Sequence, residues 1–382
     1  MPEAQPANPD PTPQDAGSDD AAGGSGVRTA ASGSGLVGSH VHSLSLARVI
    51  AETDDARSLV FAVPGPLAKR FEYAPGQFLT LRVPSDLTGS VARSYSLSSS
   101  PFTDDELTVT VKRTADGYAS NWLCDNAAAG MQVDVLQPSG MFVPKDLDHD
   151  LLLIAAGSGI TPVMSILKSA LRKGSANVTL LYANRDENSV IFADQLRELG
   201  EQYPDRLTVL HWLQTLQGLP SRATIAALAK PFADRDAFIC GPGPFMSAAE
   251  GALKEDLAMP HARVHIEVFQ SIEGDPFAEI VVEESDEDAT DNASVEVTLD
   301  GETYEYAWPR NTKLLDLLLS KGLDAPFSCR EGACSACACM VLEGEVEMIT
   351  NEVLEPEDIE EGIYLGCQSL PKSDHVKVSY DE

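Results

Sequence analysis

Four of the seven cysteines in this 382-residue chain fall inside one short run, SCREGACSACAC, Ser328–Cys339. Thiols so crowded bind metal, form disulfides or react. An odd cysteine count argues against a purely disulfide framework. The spacing Cys329-x4-Cys334-x2-Cys337 matches the plant-type [2Fe–2S] run, which needs a fourth cysteine further on. Cys367, in LGCQSL, supplies it. The residues between the thiols are mostly small (Gly332, Ala333, Ser335, Ala336), so backbone N–H groups can approach the sulfurs. Arg330 brings a positive charge towards an anionic cluster. A structural zinc site is the first rival, but zinc sites show short-spaced ligand pairs at both ends, and Cys367 stands alone. Inert or redox-sensing thiols are the second. Cys339 falls outside the spacing and reads as a buried core cysteine at the start of a strand.

A second stretch with chemical potential is AAGSGITP, Ala155–Pro162, which follows an apolar strand and opens a helix. The G-x-G-x-x-G dinucleotide fingerprint fails here, because Pro162 stands where the third glycine belongs. Its mechanics survive. Gly157 and Gly159 permit a tight turn and close backbone approach, Thr161 can cap the helix, and Pro162 suits its first position. The helix N-terminus then faces a pyrophosphate. An ordinary strand–helix turn is the competing reading. A similar loop, CGPGPFM (Cys240–Met246), ends another strand, on the edge where parallel α/β sheets collect ligands. Cys240 is either a residue beside a bound nucleotide ring or a small buried one.

Further upstream, RSYSLSSSP (Arg93–Pro101) gathers a cation, an aromatic ring and several hydroxyls, a set able to hold a phosphate and a planar ring. KRTADGYASNWL (Lys112–Leu123) adds a turn at Asp116-Gly117, with Ser120 and Asn121 opening a helix. Surface turns are the alternative for both.

The elements that must position these residues fall into blocks. Residues 1–40 are rich in Pro, Ala, Gly, Ser and Asp and hold almost no large apolar side chain, so they read as a disordered tail. After them LTVTVKR (Leu107–Arg113) alternates as a half-buried strand does, and FEYAPGQFLTLRVP puts a turn at Pro75-Gly76 before another strand; residues 41–148 read as an all-β unit. Between 149 and 270, apolar strands alternate with helices, the mark of a parallel α/β sheet. Residues 271–293 form an acidic linker. The last block, 294–382, opens on VEVTLDGETYEYAW, with Asp-Gly between alternating runs, a hairpin signal. NTKLLDLLLSKG follows as a short helix, with Asn311 or Thr312 as its N-cap and Gly322 as its stop.

A formal charge of −32 repels nucleic acid phosphates and anionic lipid alike. It favours either simple solubility, including in a salty cytoplasm, or docking of a basic protein partner. No apolar run approaches the ~20 residues of a membrane span, and the N-terminus lacks a signal peptide. The expected home is a reducing cytoplasm.

Together these motifs resemble the ferredoxin–NADP reductase superfamily, and within it the members with a C-terminal plant-type ferredoxin domain. RSYS resembles the family's R-x-Y-S flavin motif, GSGITP its G-x-G-x-x-P nicotinamide motif, and CGPGPFM its C-G-P motif. The resemblance spans residues 42–382 and implies a multidomain chain. An antiparallel β-barrel over 41–148 would bind FAD, the parallel α/β domain over 149–270 would bind NAD(P), and a β-grasp ferredoxin domain over 294–382 would carry the [2Fe–2S] cluster.

Site roles follow from the same resemblance. Arg93 would pair with FAD phosphate, Tyr95 would stack on the isoalloxazine, and Ser96 would hydrogen-bond near flavin N5. Ser94, Val111, Lys112, Gly117, Ser120 and Asn121 would line the rest of the flavin. Gly157, Gly159, Thr161, Pro162, Asn184, Arg185, Gly241 and Pro242 would hold the dinucleotide, with Cys240 near the nicotinamide. Ser96 and Cys240 would form the catalytic pair. Glu267 and Phe269, in HIEVFQ, would close over the flavin, although a last strand of the nucleotide domain reads almost as well. Cys329, Cys334, Cys337 and Cys367 would ligate the cluster.

One departure concerns the ribose. An acid is expected ~20 residues after the glycine loop, whereas Asn184, Arg185 and Asp186 lie nearer 27 on. Arg185 suits a 2′-phosphate and Asp186 repels one. The resemblance favours NADH and leaves NADPH open. It implies an electron path from NADH through FAD and [2Fe–2S] to a Rieske-type oxygenase of steroid degradation. A di-iron epoxidase or hydroxylase is the alternative acceptor, and a redox sensor or carrier without turnover the alternative class.

Overall fold

The computed structural model describes residues 40–278 and 292–381. The tail expected over 1–40 lies outside the described residues except for His40, as does 279–291 of the acidic linker.

The first six strands are β1 (His42–Thr53), β2 (Ala56–Ala62), β3 (Phe78–Ser85), β4 (Gly89–Ser96), β5 (Leu107–Lys112) and β6 (Gln132–Val135). They form an antiparallel sheet in the order β4-β3-β6-β1-β2-β5, and a bridge between Leu97 and Val109 closes it into a barrel. Leu107, Val109 and Val111 of β5 point inward, as their alternation requires. At the Pro75-Gly76 turn, Gly76 has φ +104°, and a Cβ there would lie 1.9 Å from the Phe142 carbonyl oxygen.

The next five strands are β7 (Leu151–Ala156), β8 (Val178–Asn184), β9 (Leu207–Leu213), β10 (Asp236–Cys240) and β11 (Val264–Glu267). They run parallel in the order β11-β10-β7-β8-β9. All six β7 residues are buried, because helices cover both faces of the sheet. Leu151, Leu153 and Ala155 pack with helix Ile160–Lys173, while Leu152 and Ile154 pack with helix Gly243–Gly251.

The last block contains β12 (Ala293–Leu299), β13 (Glu302–Trp308), β14 (Ala338–Glu343), β15 (Val346–Met348), β16 (Ile363–Leu365), β17 (Ser369–Pro371) and β18 (His375–Ser379). Its main sheet has the order β13-β12-β18-β14-β16, and β15 pairs with β17 in a separate ribbon. Asp300 and Gly301, with φ +55° and +76°, turn the β12–β13 hairpin as Asp-Gly does in a type I′ turn. The helix runs Leu314–Ser320 with Lys313, not Asn311 or Thr312, at its N-cap. No cap side chain is used there; Leu315 N–H donates to the Gly366 carbonyl instead, so a distant loop satisfies that helix end.

This last block is packed against the other two. Its core continues through Ile272 and Phe277 to Ala92 and Leu136 of the barrel. Asp324 pairs with Arg70 and His40 on the barrel side. On the nucleotide-domain side, Glu355 pairs with Lys254 (3.0 Å) and His261 (3.2 Å). Among the described residues no helix is long and apolar enough to cross a membrane.

Candidate functional site

One cavity is walled by all three units. Ser94 and Ser96 come from the end of β4, Glu267 and Phe269 from the end of β11 and beyond, and Cys329 and Cys334 from the cysteine loop. Two features fit a planar polar ring. The Ser96 hydroxyl is buried without a hydrogen-bond partner, which costs free energy unless a bound group supplies one. Val268 and Phe269 each expose nearly half their surface beside it, enough to cover an aromatic face.

The serines also tie the barrel to the cysteine loop. Ser328 Oγ lies 2.7 Å from Thr80 Oγ1 and 3.3 Å from Ser94 Oγ. Arg93 does not point freely outward; its guanidinium donates to the Ile272 carbonyl at 2.9 Å. One and two residues on, the Glu273 and Gly274 amides donate to the Glu331 carboxylate. A strap is thus held between the R-x-Y-S motif and the cysteine loop. Tyr95 packs against the barrel core, and burial pushes its hydroxyl pKa up.

Other sequence-derived flavin residues divide by role. Val111 is wholly buried, so only its backbone is available. Ser120 accepts from Thr114 N–H, and Asn121 donates to the Thr114 and Gly117 carbonyls. They stitch the Asp116-Gly117 turn, and their helix already begins at Tyr118. Lys112 reaches towards the nucleotide loop, its Nζ lying 3.8 Å from where a Gly157 Cβ would sit.

That loop is built on close approach. Gly157 has φ +55°, and a Cβ on Gly159 would lie 2.1 Å from the Cys240 carbonyl oxygen. Only glycine lets the β7 and β10 loops meet. Gly241 packs on Ala156 and Pro242 is the N-cap of helix Gly243–Gly251. The expected roles of Thr161 and Pro162 shift. A 3-10 turn, Gly157–Gly159, leads into a helix that starts at Ile160, so Pro162 falls third and Thr161 donates to the Ser158 carbonyl rather than capping. Pro162 still sits in the first turn, where a missing N–H costs nothing. At the end of β8, Asn184 is buried with both amide atoms unpartnered, which suits a ligand. Arg185 is largely exposed and paired with Asp186 at 3.0 Å.

Cys240 and Glu267 are neighbours across β10 and β11. Cys240 is fully buried, and burial and then the Glu267 charge push its thiol well up. Glu267 keeps some solvent contact along the cavity wall, yet burial of its carboxyl pushes it to about 8.

The four cysteines expected as ligands converge. Cys329 contacts Cys334 and Cys367, and Cys367 contacts Cys337. Backbone amides reach the sulfurs as the small intervening residues predict: Cys329 N–H to Cys334 Sγ (3.3 Å), Glu331 N–H to Cys329 Sγ (3.4 Å) and Cys367 N–H to Cys337 Sγ (3.4 Å). Gln368 Nε2 adds a donor to Cys367. Gly332 holds φ +84° where a Cβ would strike the Thr350 carbonyl oxygen at 2.8 Å. The thiols make a chain of contacts, and a two-iron cluster shares four thiolates between two centres. Arg330 does not lend free charge to this site, being paired with Asp316 at 2.8 Å. Cys339 is buried and donates to the Tyr364 carbonyl, and burial pushes its thiol to about 12. Sequence reasoning missed Thr80 and Ser328; no local pattern marks them.

Comparisons agree with this architecture. Three family models match in series: an oxidoreductase FAD-binding domain over 43–143, an oxidoreductase NAD-binding domain over 153–251 and a 2Fe-2S iron-sulfur cluster binding domain over 297–372. The chain is 67% identical to the 3-ketosteroid-9-alpha-monooxygenase ferredoxin reductase component of Mycolicibacterium smegmatis, over 91% of this chain and 99% of that one. It is 35% identical to a subunit of the 1,2-phenylacetyl-CoA epoxidase of Escherichia coli, over 89% and 98%. Among solved structures, phthalate dioxygenase reductase shares the fold, with a TM-score of 0.51 and 22% identity over 89% of this chain and 98% of that one. The chain belongs to the family of oxygenase ferredoxin reductase components, with FAD-binding, NAD-binding and [2Fe–2S]-binding domains in one polypeptide.

Proposed function

We propose that this chain passes electrons from NADH through FAD and a [2Fe–2S] cluster to a Rieske-type terminal oxygenase, the partner that hydroxylates 3-ketosteroids at carbon 9. The cofactors carry the chemistry, hydride acceptance by the flavin and one-electron transfer by the cluster. The single observation that carries the reading is the shared cavity, where Ser96, Glu267 and the ligands Cys329 and Cys334 meet.

The chain's own residues do the positioning. The close-packed Gly157–Gly159 and Cys240–Pro242 loops hold the dinucleotide over Ser96. Tyr95 and Phe269 hold the flavin ring, Lys112 lines the flavin tail beside the Gly157 loop, and Arg93 anchors the Ile272 strap. Cys329, Cys334, Cys337 and Cys367 hold the cluster, and the Ser328 contacts keep it against the barrel. The onward step is downhill: a plant-type cluster lies near about −400 mV and Rieske centres at roughly −150 to +300 mV. A fall of about 250 mV or more is around four decades in equilibrium constant at ~59 mV each.

The test has two stages. Purified protein with NADH should bleach its flavin and reduce cytochrome c; failure of both removes the reductase reading in favour of a carrier or sensor. Reconstitution with a 3-ketosteroid-hydroxylating Rieske oxygenase and with a di-iron epoxidase then identifies the acceptor. Turnover only with the di-iron enzyme would refute the Rieske assignment.

A further inference from the structure

Glu331 sits in the cysteine loop between Arg330 and Gly332 and faces two ways. Its backbone N–H donates to Cys329 Sγ at 3.4 Å. Its carboxylate leaves the loop altogether. Oε1 accepts from the Glu273 and Gly274 amides at 3.0 and 3.2 Å, and Oε2 makes a second contact with the Glu273 amide at 3.3 Å. Those amides belong to the strap that leaves β11 at Glu267 and lines the shared cavity as far as Ile272. The strap is itself pinned to the barrel. Arg93 of β4 donates to the Ile272 carbonyl, and Arg82 of β3 pairs with Asp275 at 3.6 Å and lies 4.7 Å over the Phe277 ring. Arg330, next to Glu331, is tied inward instead, to Asp316 of its own block. Glu331 therefore joins a thiol-bearing loop to a segment fixed on the barrel. Two amides converging on a carboxylate grip harder than the neutral hydroxyl contacts of Ser328.

We propose that Glu331 is a positioning residue of the relay: by gripping the Glu273 and Gly274 amides it holds the Cys329 side of the cysteine site against the flavin cavity, and so sets the rate of the internal electron transfer. The inference rests on the assignment of flavin and cluster made above. The step moves one electron, which oxidises the reduced flavin and reduces one iron of the cluster; no bond to Glu331 forms or breaks. The rate falls steeply as the gap between two such centres widens, so a contact that closes the gap acts on rate without touching either centre. The charge of Glu331 works the other way. A carboxylate beside the cluster disfavours the added electron, so its removal alone eases the transfer. A slower transfer in a variant without the carboxylate therefore reports lost grip rather than a lost driving force.

The experiment uses the full-length holoprotein. Iron content and the electron paramagnetic resonance spectrum of the reduced wild type first test the cluster assignment by themselves, and bleaching by NADH tests that of the flavin. Flavin-to-cluster transfer is then followed by stopped flow. Loss of a hydrogen bond to a charged group shifts an equilibrium by about tenfold or more. E331A should accordingly transfer about tenfold more slowly, with full cluster content and unchanged ferricyanide reduction. E331Q loses the charge but keeps a carbonyl oxygen able to accept from the amides, and should recover most of the rate. Hydrogen exchange at Glu273 and Gly274 should quicken in E331A and stay slow in E331Q. Raised solvent viscosity should slow E331A further and leave the wild type unchanged, because a loosened loop must find its seat again at each turnover. A wild-type rate in E331A with full cluster content, or E331Q as slow as E331A, overturns the proposal and leaves the cofactor assignments standing. Should E331A fail to load its cluster, G274P tests the same contact from the strap. Proline has no N–H to donate, the cysteine loop is untouched, and a Cβ at 274 meets Glu331 only at 3.8 Å. G274P should also slow the transfer, and an unchanged rate again overturns the proposal.

Discussion

Gly159→Ala tests the nucleotide site directly. The new Cβ would lie 2.1 Å from the Cys240 carbonyl oxygen, 2.3 Å from its carbon and 2.6 Å from Gly241 N. All three are backbone atoms, so no side chain can swing aside. Ordinary contact begins at 3.4 Å, and the two loops must part by roughly 1.3 Å. Overpacking of this kind costs about 1–3 kcal/mol of stability. The kinetic effect is larger in kind: a 1 Å misplacement of a reacting group costs about 10²-fold. We expect kcat/KM for NADH to fall by about 10²-fold, while reduction of the cluster by photoreduced flavin proceeds at the wild-type rate. Gly157→Ala is the control. Its Cβ meets only Lys112 Nζ at 3.8 Å, and the cost is confined to the left-handed φ of +55°, about 1–2 kcal/mol. Stopped-flow reduction by NADH separates the two. A G159A protein within threefold of wild type, or a G157A protein as impaired as G159A, would refute the argument that loop contact builds the site.

Cys334→Ser should abolish NADH-dependent cytochrome c reduction and largely spare ferricyanide reduction, which draws electrons from the flavin; equal loss of both would make the cluster a folding element. Glu267 has a folded pKa of about 8 against an unfolded value of 4.5, so the folded state binds the extra proton between those limits. Stability should therefore fall as pH rises from about 5 to 8, by up to about 1.4 kcal/mol per unit. Thermal unfolding of E267Q should show a flatter profile over that window, and an unchanged slope would count against the buried carboxyl. Glu355→Ala removes the pairings with Lys254 and His261. Two exposed pairs at about 0.2–1 kcal/mol each amount to at most about 2 kcal/mol, so flavin-to-cluster transfer should slow by no more than about thirtyfold in stopped flow. A larger loss would mean that this contact governs docking.

Local chemistry was legible in the sequence, and long-range contact was not. The Cys329-x4-Cys334-x2-Cys337 spacing, the Asp300-Gly301 hairpin and the Gly157–Gly159 loop each depend on residues close together in the chain. Their backbone demands show in composition alone. The Leu314 helix start was missed because its first-turn N–H finds the Gly366 carbonyl, about fifty residues away, which no capping pattern encodes. Thr161 was misread because the 3-10 turn before it moves the helix start by two residues. Thr80 and Ser328 carry no motif; they matter through what folding places beside them. The same holds for Arg93, whose tie to Ile272 joins two segments that look unrelated in the sequence.

The Ser328 contacts have a consequence for how the protein responds to dilution. The cysteine loop and the barrel belong to one chain, and the Ser328 contacts hold them together. Tethering within one chain gives an effective concentration on the order of millimolar, far above that of any free acceptor in an enzyme assay. The internal transfer is then first order, and its rate constant carries no dependence on protein concentration. Only the last hop, to a separate partner, obeys mass action. Each flavin keeps its own private cluster, and the traffic leaving the molecule is metered at a single door.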